Sequence, residues 1–396
     1  MKNTEAENRI GQSAAAPTGL ARLLEGRGDF SHNNLDMLRL LLAGMVFLFH
    51  IGALTQNAAF GWYTFSSQTP VRAFFVISGL LIYRSYIRSS SFRSYLDKRV
   101  RRIYPAYFTV IVACALGLAL TSSAPARVYF GAGFWKYLGA NLIFLNHFCP
   151  RLPGVFSTHY ETAVNGALWS IKLEVCWYVS LGLIVWAGRK LGLQKVLAGL
   201  AAFSLLFKYG CLAIASSLHA AHPMQADLWK HVSGEFPGAL IYFVAGVFIA
   251  LYFDWLRRHV VLIGTASVLI YGVDHFLTRG ALDVVWISGL VMLIGFWRYL
   301  GNFSKHGDMS YSLYIVHWPI LQILITTGLA AKLSAPAFFF LALGLVLTTS
   351  FLLWHLVEKR FLRKSSHYRQ HGGPKSEPAK ASPAADHLDI VECVLP

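Results

Sequence analysis

The chain alternates long apolar runs with short polar ones. Stretches of about twenty residues that carry few charges read as membrane-crossing helices, because a 30 Å hydrocarbon core takes about that many residues at 1.5 Å each. Such stretches occur at about 35–55, 70–87, 104–121, 169–186, 196–216, 236–255, 260–277, 282–299, 310–329 and 337–357. A further semi-apolar run, 131–147, is short and holds Lys136, Asn141 and Asn146. It reads as a re-entrant or interfacial helix rather than a crossing. The pattern therefore predicts an all-α, polytopic membrane helix bundle of about ten transmembrane helices. Residues 1–34 are polar with Ala, Gly and Pro and read as a flexible cytoplasmic tail without a signal-peptide pattern. Residues 35–362 form the transmembrane domain. Residues 363–396, rich in Pro, Ala and Lys, read as a disordered cytoplasmic tail.

Composition agrees with the pattern. Of 396 residues, 55% are hydrophobic and 14% charged, against about 25% charged in soluble domains. The formal net charge of +16 would suit nucleic acid in a soluble protein. Here the basic residues gather in alternate loops instead, at Arg84–Arg102, Arg189–Lys195, Arg257–Arg258 and Lys359–Lys364. Placing the N-terminus inside puts roughly 25 Lys and Arg in cytoplasmic segments and roughly 6 opposite, which predicts an N-in/C-in arrangement. Counting 131–147 as a crossing would destroy that bias. The five cysteines are scattered without metal spacing and suggest neither a disulfide framework nor a metal centre. No nucleic-acid partner is expected.

Chemistry enters where ionisable groups interrupt the apolar runs. In LDMLRLLLAGMVFLFH, residues 35–50, Arg39 and His50 are eleven positions apart. They share one helical stripe, separated by roughly 16 Å along the axis. Ionisable groups at such depth are costly and face a protein interior or a water-filled cavity. LWSIKLEVCWY, residues 168–178, contains Trp169, Ser170 and Glu174. DMSYSLYIVH, residues 308–317, contains Ser310, Tyr314 and His317 along one face. Ser78-Gly79 in the second run permits close backbone approach. The loop KRVRRIYP offers Arg99, Arg101 and Arg102. Each feature has a purely structural reading: a hydrogen-bonded helix contact for the histidines, an interhelical ion pair for Glu174, a lipid anchor for the arginines. Together they point one way. A phosphate-binding surface at the cytoplasmic mouth would take a donor, and a histidine with a buried carboxylate beyond it would take a proton from an attacking hydroxyl or itself be acylated.

Five runs in order, LDMLRLLLAGMVFLFH, FFVISGLLI, RVRRIYPAY, LWSIKLEVCWY and SYSLYIVHWP, together resemble the membrane-bound acyltransferase-3 family across residues 35–362. These are bacterial O-acyltransferases of surface glycans, lipopolysaccharide and Nod factors. The resemblance implies ten core helices, acetyl-CoA or another acyl-CoA as donor, and transfer to a hydroxyl. The family's first-helix arginine and histidine fall on Arg39 and His50. Its basic pair falls on Arg99 and Arg102, its glutamate on Glu174 and its late histidine on His317. Two positions depart conservatively: Leu80 and Ile171 stand where the family has Phe and Leu.

The resulting expectation is an O-acyltransferase, most simply an O-acetyltransferase, of the bacterial inner membrane. Its acceptor would be a carbohydrate or glycolipid in exopolysaccharide or lipopolysaccharide modification. His50, Glu174 and Arg39 would be catalytic, and Arg99, Arg102 and Arg101 would hold the donor. His317, Tyr314, Ser78, Trp169 and Ser170 would support the substrate or the site. Trp62, Tyr63, Trp135 and Tyr160 read as an interfacial aromatic belt, with sugar stacking as the alternative. Expected partners are membrane lipid and a separate periplasmic transferase or polysaccharide-assembly proteins. The rival classes are a proton-coupled transporter or flippase, which also buries His and Glu, and an inactive scaffold. The acyl group, the acceptor and the choice between direct transfer and an acyl-histidine stay open at this stage.

Overall fold

A computed structural model describes residues 30–366 apart from 31, 62–65, 279, 304, 306, 364 and 365. Among the described residues every regular element is helical. The principal helices are α1 (Leu35–Thr55), α2 (Gln68–Ile87), α3 (Phe92–Gly117), α4 (Ala132–Leu142), α5 (Trp169–Leu191), α6 (Leu193–Leu218), α7 (Pro223–Ser233), α8 (Phe236–Leu251), α9 (Val260–Val273), α10 (Asp283–Phe296), α11 (Ser310–Thr326) and α12 (Ala335–Leu353). A π-helical turn, Trp354–Glu358, extends α12.

Each of the ten expected spans falls on a helix. Among the described residues, eight helical stretches are long and apolar enough to cross a membrane, which makes this a multi-pass membrane protein. The two expected spans outside these eight fall on α10, with 14 residues, and α11, with 17. The run at 131–147 contains α4, whose 11 residues span only about 16 Å and cannot cross.

What holds apolar helices together in lipid is close packing rather than hydrophobicity. The α2–α8 contact shows this. A Cβ added to Gly79 would lie 2.1 Å from the Phe243 carbonyl oxygen, and one added to Gly246 would lie 2.0 Å from that of Val76. Only glycine at both positions lets the two backbones meet. The neighbouring Ser78 is thereby held at a fixed depth, facing α5.

Two segments without long helices are tied to the bundle by specific hydrogen bonds. Asn34, placed in the flexible tail, is buried. Its Nδ2 donates to the carbonyls of Ile294 (3.0 Å) and Arg298 (2.6 Å), its Oδ1 accepts from Leu300 N–H (2.8 Å), and its own N–H donates to Gly295 O (2.9 Å). It satisfies carbonyls that the end of α10 leaves unpaired. Phe30 packs between Phe253 and Phe296, with Arg84 over its ring at 3.8 Å. The packed domain thus begins upstream of residue 35. The rest of the 1–34 stretch, and residues 367–396 of the C-terminal one, lie outside the described residues.

The segment between α4 and α5 has no long helix, yet it is tied to α11. Pro319 has no N–H, so the Ile315 carbonyl one turn back loses its helical donor. Asn165 Nδ2 takes that place at 2.8 Å. Buried Gln322 donates to the carbonyls of Glu161 (2.6 Å) and Ala163 (3.1 Å), and Trp318 Nε1 also donates to Ala163 O (3.1 Å).

Candidate active site

The bundle brings two of the expected residues into direct contact across 267 positions of sequence. His50 of α1 and His317 of α11 are hydrogen-bonded, Nδ1 to Nε2, at 2.9 Å. Their rings are nearly parallel, 11° apart, with centroids 5.1 Å apart. That separation equals the hydrogen bond plus one ring radius at each end, so the rings lie edge to edge with the bond in their planes. The roles follow from the next partner. His317 Nδ1 faces the Leu313 carbonyl at 3.2 Å, and a carbonyl only accepts. His317 Nδ1 therefore carries the proton and its Nε2 accepts. His50 Nδ1 then donates, which leaves the lone pair on His50 Nε2. An imidazole held in one tautomer by a fixed acceptor is the arrangement a general base requires. His317 is fully buried, and Trp318 meets the His50 ring edge to face at 4.8 Å.

Glu174 of α5 is held elsewhere. Its Oε1 accepts from Ser78 Oγ at 3.1 Å and from Tyr178 OH at 2.6 Å. It makes no hydrogen bond to His50; the group that orients His50 is His317. Lys172, two positions from Glu174, turns away and pairs with Glu235 at 2.8 Å.

Glu174, Ser78 and Tyr178 line a narrow cavity of about 110 Å³. Its walls also include Arg39, Arg99 and Arg102 towards one end, and Ser170, Tyr311 and Tyr314. Ser170 Oγ and Tyr314 OH are 2.7 Å apart. The Tyr314 ring in turn meets His317 edge to face at 6.0 Å. The cavity thus runs from three guanidinium groups to a hydroxyl pair one ring away from the histidines.

The three wall arginines differ in their surroundings. Arg102 donates through Nη1 to Glu358 Oε2 at 2.9 Å and through Nη2 to Asp308 Oδ2. Arg39 reaches the same Asp308 oxygen at 2.9 Å and also pairs with Asp36. Ser312 donates to Glu358, and Ser310 donates to Asp308 Oδ1 through both its N–H (3.2 Å) and its Oγ (2.6 Å). Four helical segments, α1, α3, α11 and the turn after α12, meet in this knot of buried charge together with Asp308 from the loop before α11. Arg99 is different. Its Nη2 donates to Ser85 Oγ at 2.9 Å, it lies 5.9 Å from the Tyr178 ring, and its buried Nε makes no hydrogen bond. Among the described residues it has no carboxylate partner. Arg101 lies outside the cavity, half exposed, with Nε 2.9 Å from both oxygens of Asp97.

Of the supporting residues, Ser78, Ser170 and Tyr314 line the cavity, while Trp169 packs edge to face on Phe75. Trp135 and Tyr160 are exposed; Trp62 and Tyr63 lie outside the described residues. Sequence reading passed over Asp308 and Glu358. Both sit in runs with ordinary polar neighbours, and only the fold makes them buried. It also passed over Asp283, which accepts from Arg72 (2.7 Å) and Tyr242 (2.6 Å) and pairs with Lys208 (3.4 Å).

Comparison with known proteins bears on what such a site does. Residues 32–355 match the acyltransferase-3 family model, described as an acyltransferase domain. The chain is similar to an O-acetyl transferase of Shigella phage Sf6, 27% identical over 84% of this chain and 97% of that protein. It is also similar to Nodulation protein 10 of Rhizobium leguminosarum bv. viciae, 25% identical over 75% of this chain and 84% of the other. A third relative is the exopolysaccharide production protein ExoZ of Rhizobium meliloti, 25% identical over 76% and 92%. No solved structure matches the chain. With the family model covering most of the bundle and all of the site residues but those of its last turn, this chain belongs to the acyltransferase-3 family of membrane acyltransferases.

Proposed function

We propose that the protein is an O-acyltransferase, most simply an O-acetyltransferase, of the bacterial inner membrane. It would move an acyl group from cytoplasmic acyl-CoA to a hydroxyl of a carbohydrate or glycolipid acceptor. The bundle would sit N-in/C-in, so that the arginine end of the cavity faces the cytoplasm; the charge bias of the loops supports this orientation. The observation that carries the reading is the hydrogen-bonded His50–His317 pair, one ring beyond Tyr314 in the wall of a cavity that also holds Arg39, Arg99 and Arg102.

In this mechanism Arg99, which among the described residues has an unused N–H and no acid partner, meets the phosphates of the donor. The Arg39–Arg102–Asp308–Glu358 knot keeps its shape around the mouth, since each charge is compensated within it. The acyl-pantetheine arm follows the cavity past Ser78 and Glu174 towards Ser170 and Tyr314. His50 Nε2 takes the proton of the acceptor hydroxyl as its oxygen attacks the thioester carbonyl. The new C–O bond forms, the C–S bond breaks, and the departing thiolate takes that proton back from His50 Nε2 to leave as free CoA. His317 holds His50 in the required tautomer throughout and disperses the charge that develops on it.

The test uses membranes containing equal amounts of protein, given acetyl-CoA labelled in the acetyl group. Label should pass to the lipid-linked or glycan fraction with wild type and not with His50→Ala. Equal transfer by both would rule out His50 as the base. Absence of transfer by wild type, together with uptake of a glycan by proteoliposomes, would overturn the enzymatic reading.

A further inference from the structure

The opposite end of the bundle carries a second cluster that the acyl-transfer reading does not use. Lys172 lies in the first turn of α5, whereas Tyr178, further along the same helix, contacts Tyr95 and approaches Arg99. Lys172 is therefore at the end away from the arginines, and its partner Glu235 shares that level. There the fold gathers His147, from the segment after α4, with His231 near the end of α7 and Glu235 just before α8. One ligand atom from each lies within 4.8 Å of the others. The imidazoles are nearly parallel, 15° apart with centroids 5.3 Å apart. His231 Nε2 is 3.5 Å from Glu235 Oε1.

That last distance carries weight. Ligand atoms held at about 2.0–2.1 Å from a tetrahedral ion are about 3.3–3.4 Å apart. The His231–Glu235 pair already has nearly that edge, and a small movement of the His147 ring supplies the third corner. Two imidazoles and a carboxylate form a donor set suited to a borderline cation such as zinc, with a fourth position left for water. The second carboxylate oxygen, Oε2, pairs with Lys172 at 2.8 Å, and Oε1 is the oxygen that faces His231. Beside the cluster, the Oδ1 of buried Asn146 accepts no hydrogen bond. Two distant parts of the chain thus converge on one point with two borderline imidazole nitrogens and one carboxylate oxygen, and neither the catalytic pair nor the cavity requires them there.

We propose that His147, His231 and Glu235 bind a zinc ion that ties the 143–165 segment to the α7–α8 corner. That segment holds the far face of the active site: Asn165 caps the broken turn at Ile315, and Ala163 O receives Trp318, whose ring lies against His50. The ion acts as a brace, not as a participant in acyl transfer.

The experiment uses the full chain carrying a tag without histidine, purified in detergent, stripped with chelator and titrated with zinc chloride. Bound metal is measured by elemental analysis after gel filtration, and cobalt substitution is followed by visible absorption. Wild type should bind one ion per chain and melt at a higher temperature when loaded. The His147→Ala/His231→Ala protein should lose binding at least about tenfold. Lys172→Met should bind zinc at least about fivefold more tightly, because a positive charge beside the ion is gone. A misfolded variant cannot imitate that gain. Failure of wild type to bind, or equal binding by the double-histidine variant, overturns the site. Unchanged or weaker affinity in Lys172→Met removes Glu235 from the ligand set and overturns it as proposed.

Discussion

At the scale of single residues, the site is a chain of donors and acceptors whose direction is set by one backbone carbonyl. Leu313 O fixes the His317 proton, which fixes the His50 proton. This predicts an order among substitutions at 317. Glutamine keeps an oxygen that can accept from His50 Nδ1, whereas leucine does not. Initial rates of acyl transfer should fall on the order of 10²-fold for His317→Leu and clearly less for His317→Gln. Equal losses for the two would mean that His317 only fills space. Arg99 supplies a second contrast. If its unused N–H meets donor phosphate, Arg99→Gln should raise KM for acyl-CoA about tenfold or more with little change in kcat, the mark of uniform binding lost. A fall in kcat alone would place Arg99 nearer the chemistry.

At the scale of elements, stability rests on backbone approach and on compensated charge. A methyl group at Gly79 would press on the Phe243 carbonyl, not on a side chain that could turn aside. Gly79→Ala should therefore destabilise the bundle by about 1–3 kcal/mol or more, seen as a lower melting temperature in detergent. It should also lower activity, because Ser78 moves with the helix. The arginine knot behaves differently. Asp308 serves Arg39, Arg102 and the start of α11 at once. Asp308→Asn leaves buried guanidinium groups short of a charge, and breaking such a buried pair costs about 3–5 kcal/mol. Loss of folded protein, measured as the monodisperse fraction on gel filtration, is the expected outcome. A fully stable Asp308→Asn protein would show that water reaches the knot and carries the charge.

At the scale of the whole molecule, the question is how the bundle is oriented. The N-in/C-in arrangement expected from loop charge would put the α5–α6 connection inside and the α6–α7 connection outside. In a cysteine-free background, Asp227→Cys, at an exposed position, should react with a membrane-impermeant maleimide in intact spheroplasts. Lys195→Cys should react only after permeabilisation. The reverse pattern would invert the bundle and put the arginine mouth outside, away from any cytoplasmic acyl-CoA.

The apolar runs and basic loops settle by themselves that the chain is a multi-pass helical membrane protein. Lipid cannot satisfy a backbone amide, so a long apolar run has helix as its only unclosed option. The same logic singled out His50, Glu174, Arg39 and His317, because burial of an ionisable side chain is costly wherever it happens. Spacing along the chain says nothing about which of these groups meet. His50 pairs with a histidine 267 positions away and not with the carboxylate the sequence reading set beside it. Asp308 and Glu358 look ordinary in their runs and become buried partners of Arg102 only when α3, α11 and the turn after α12 converge. Asn34 and Asn165 look like loop residues and prove to be the caps for carbonyls stranded at a helix end and by Pro319. Partitioning between water and lipid is a local property of a segment and can be read in order. Hydrogen-bond pairing inside the bundle is a property of helices brought side by side, and only the tertiary structure decides it.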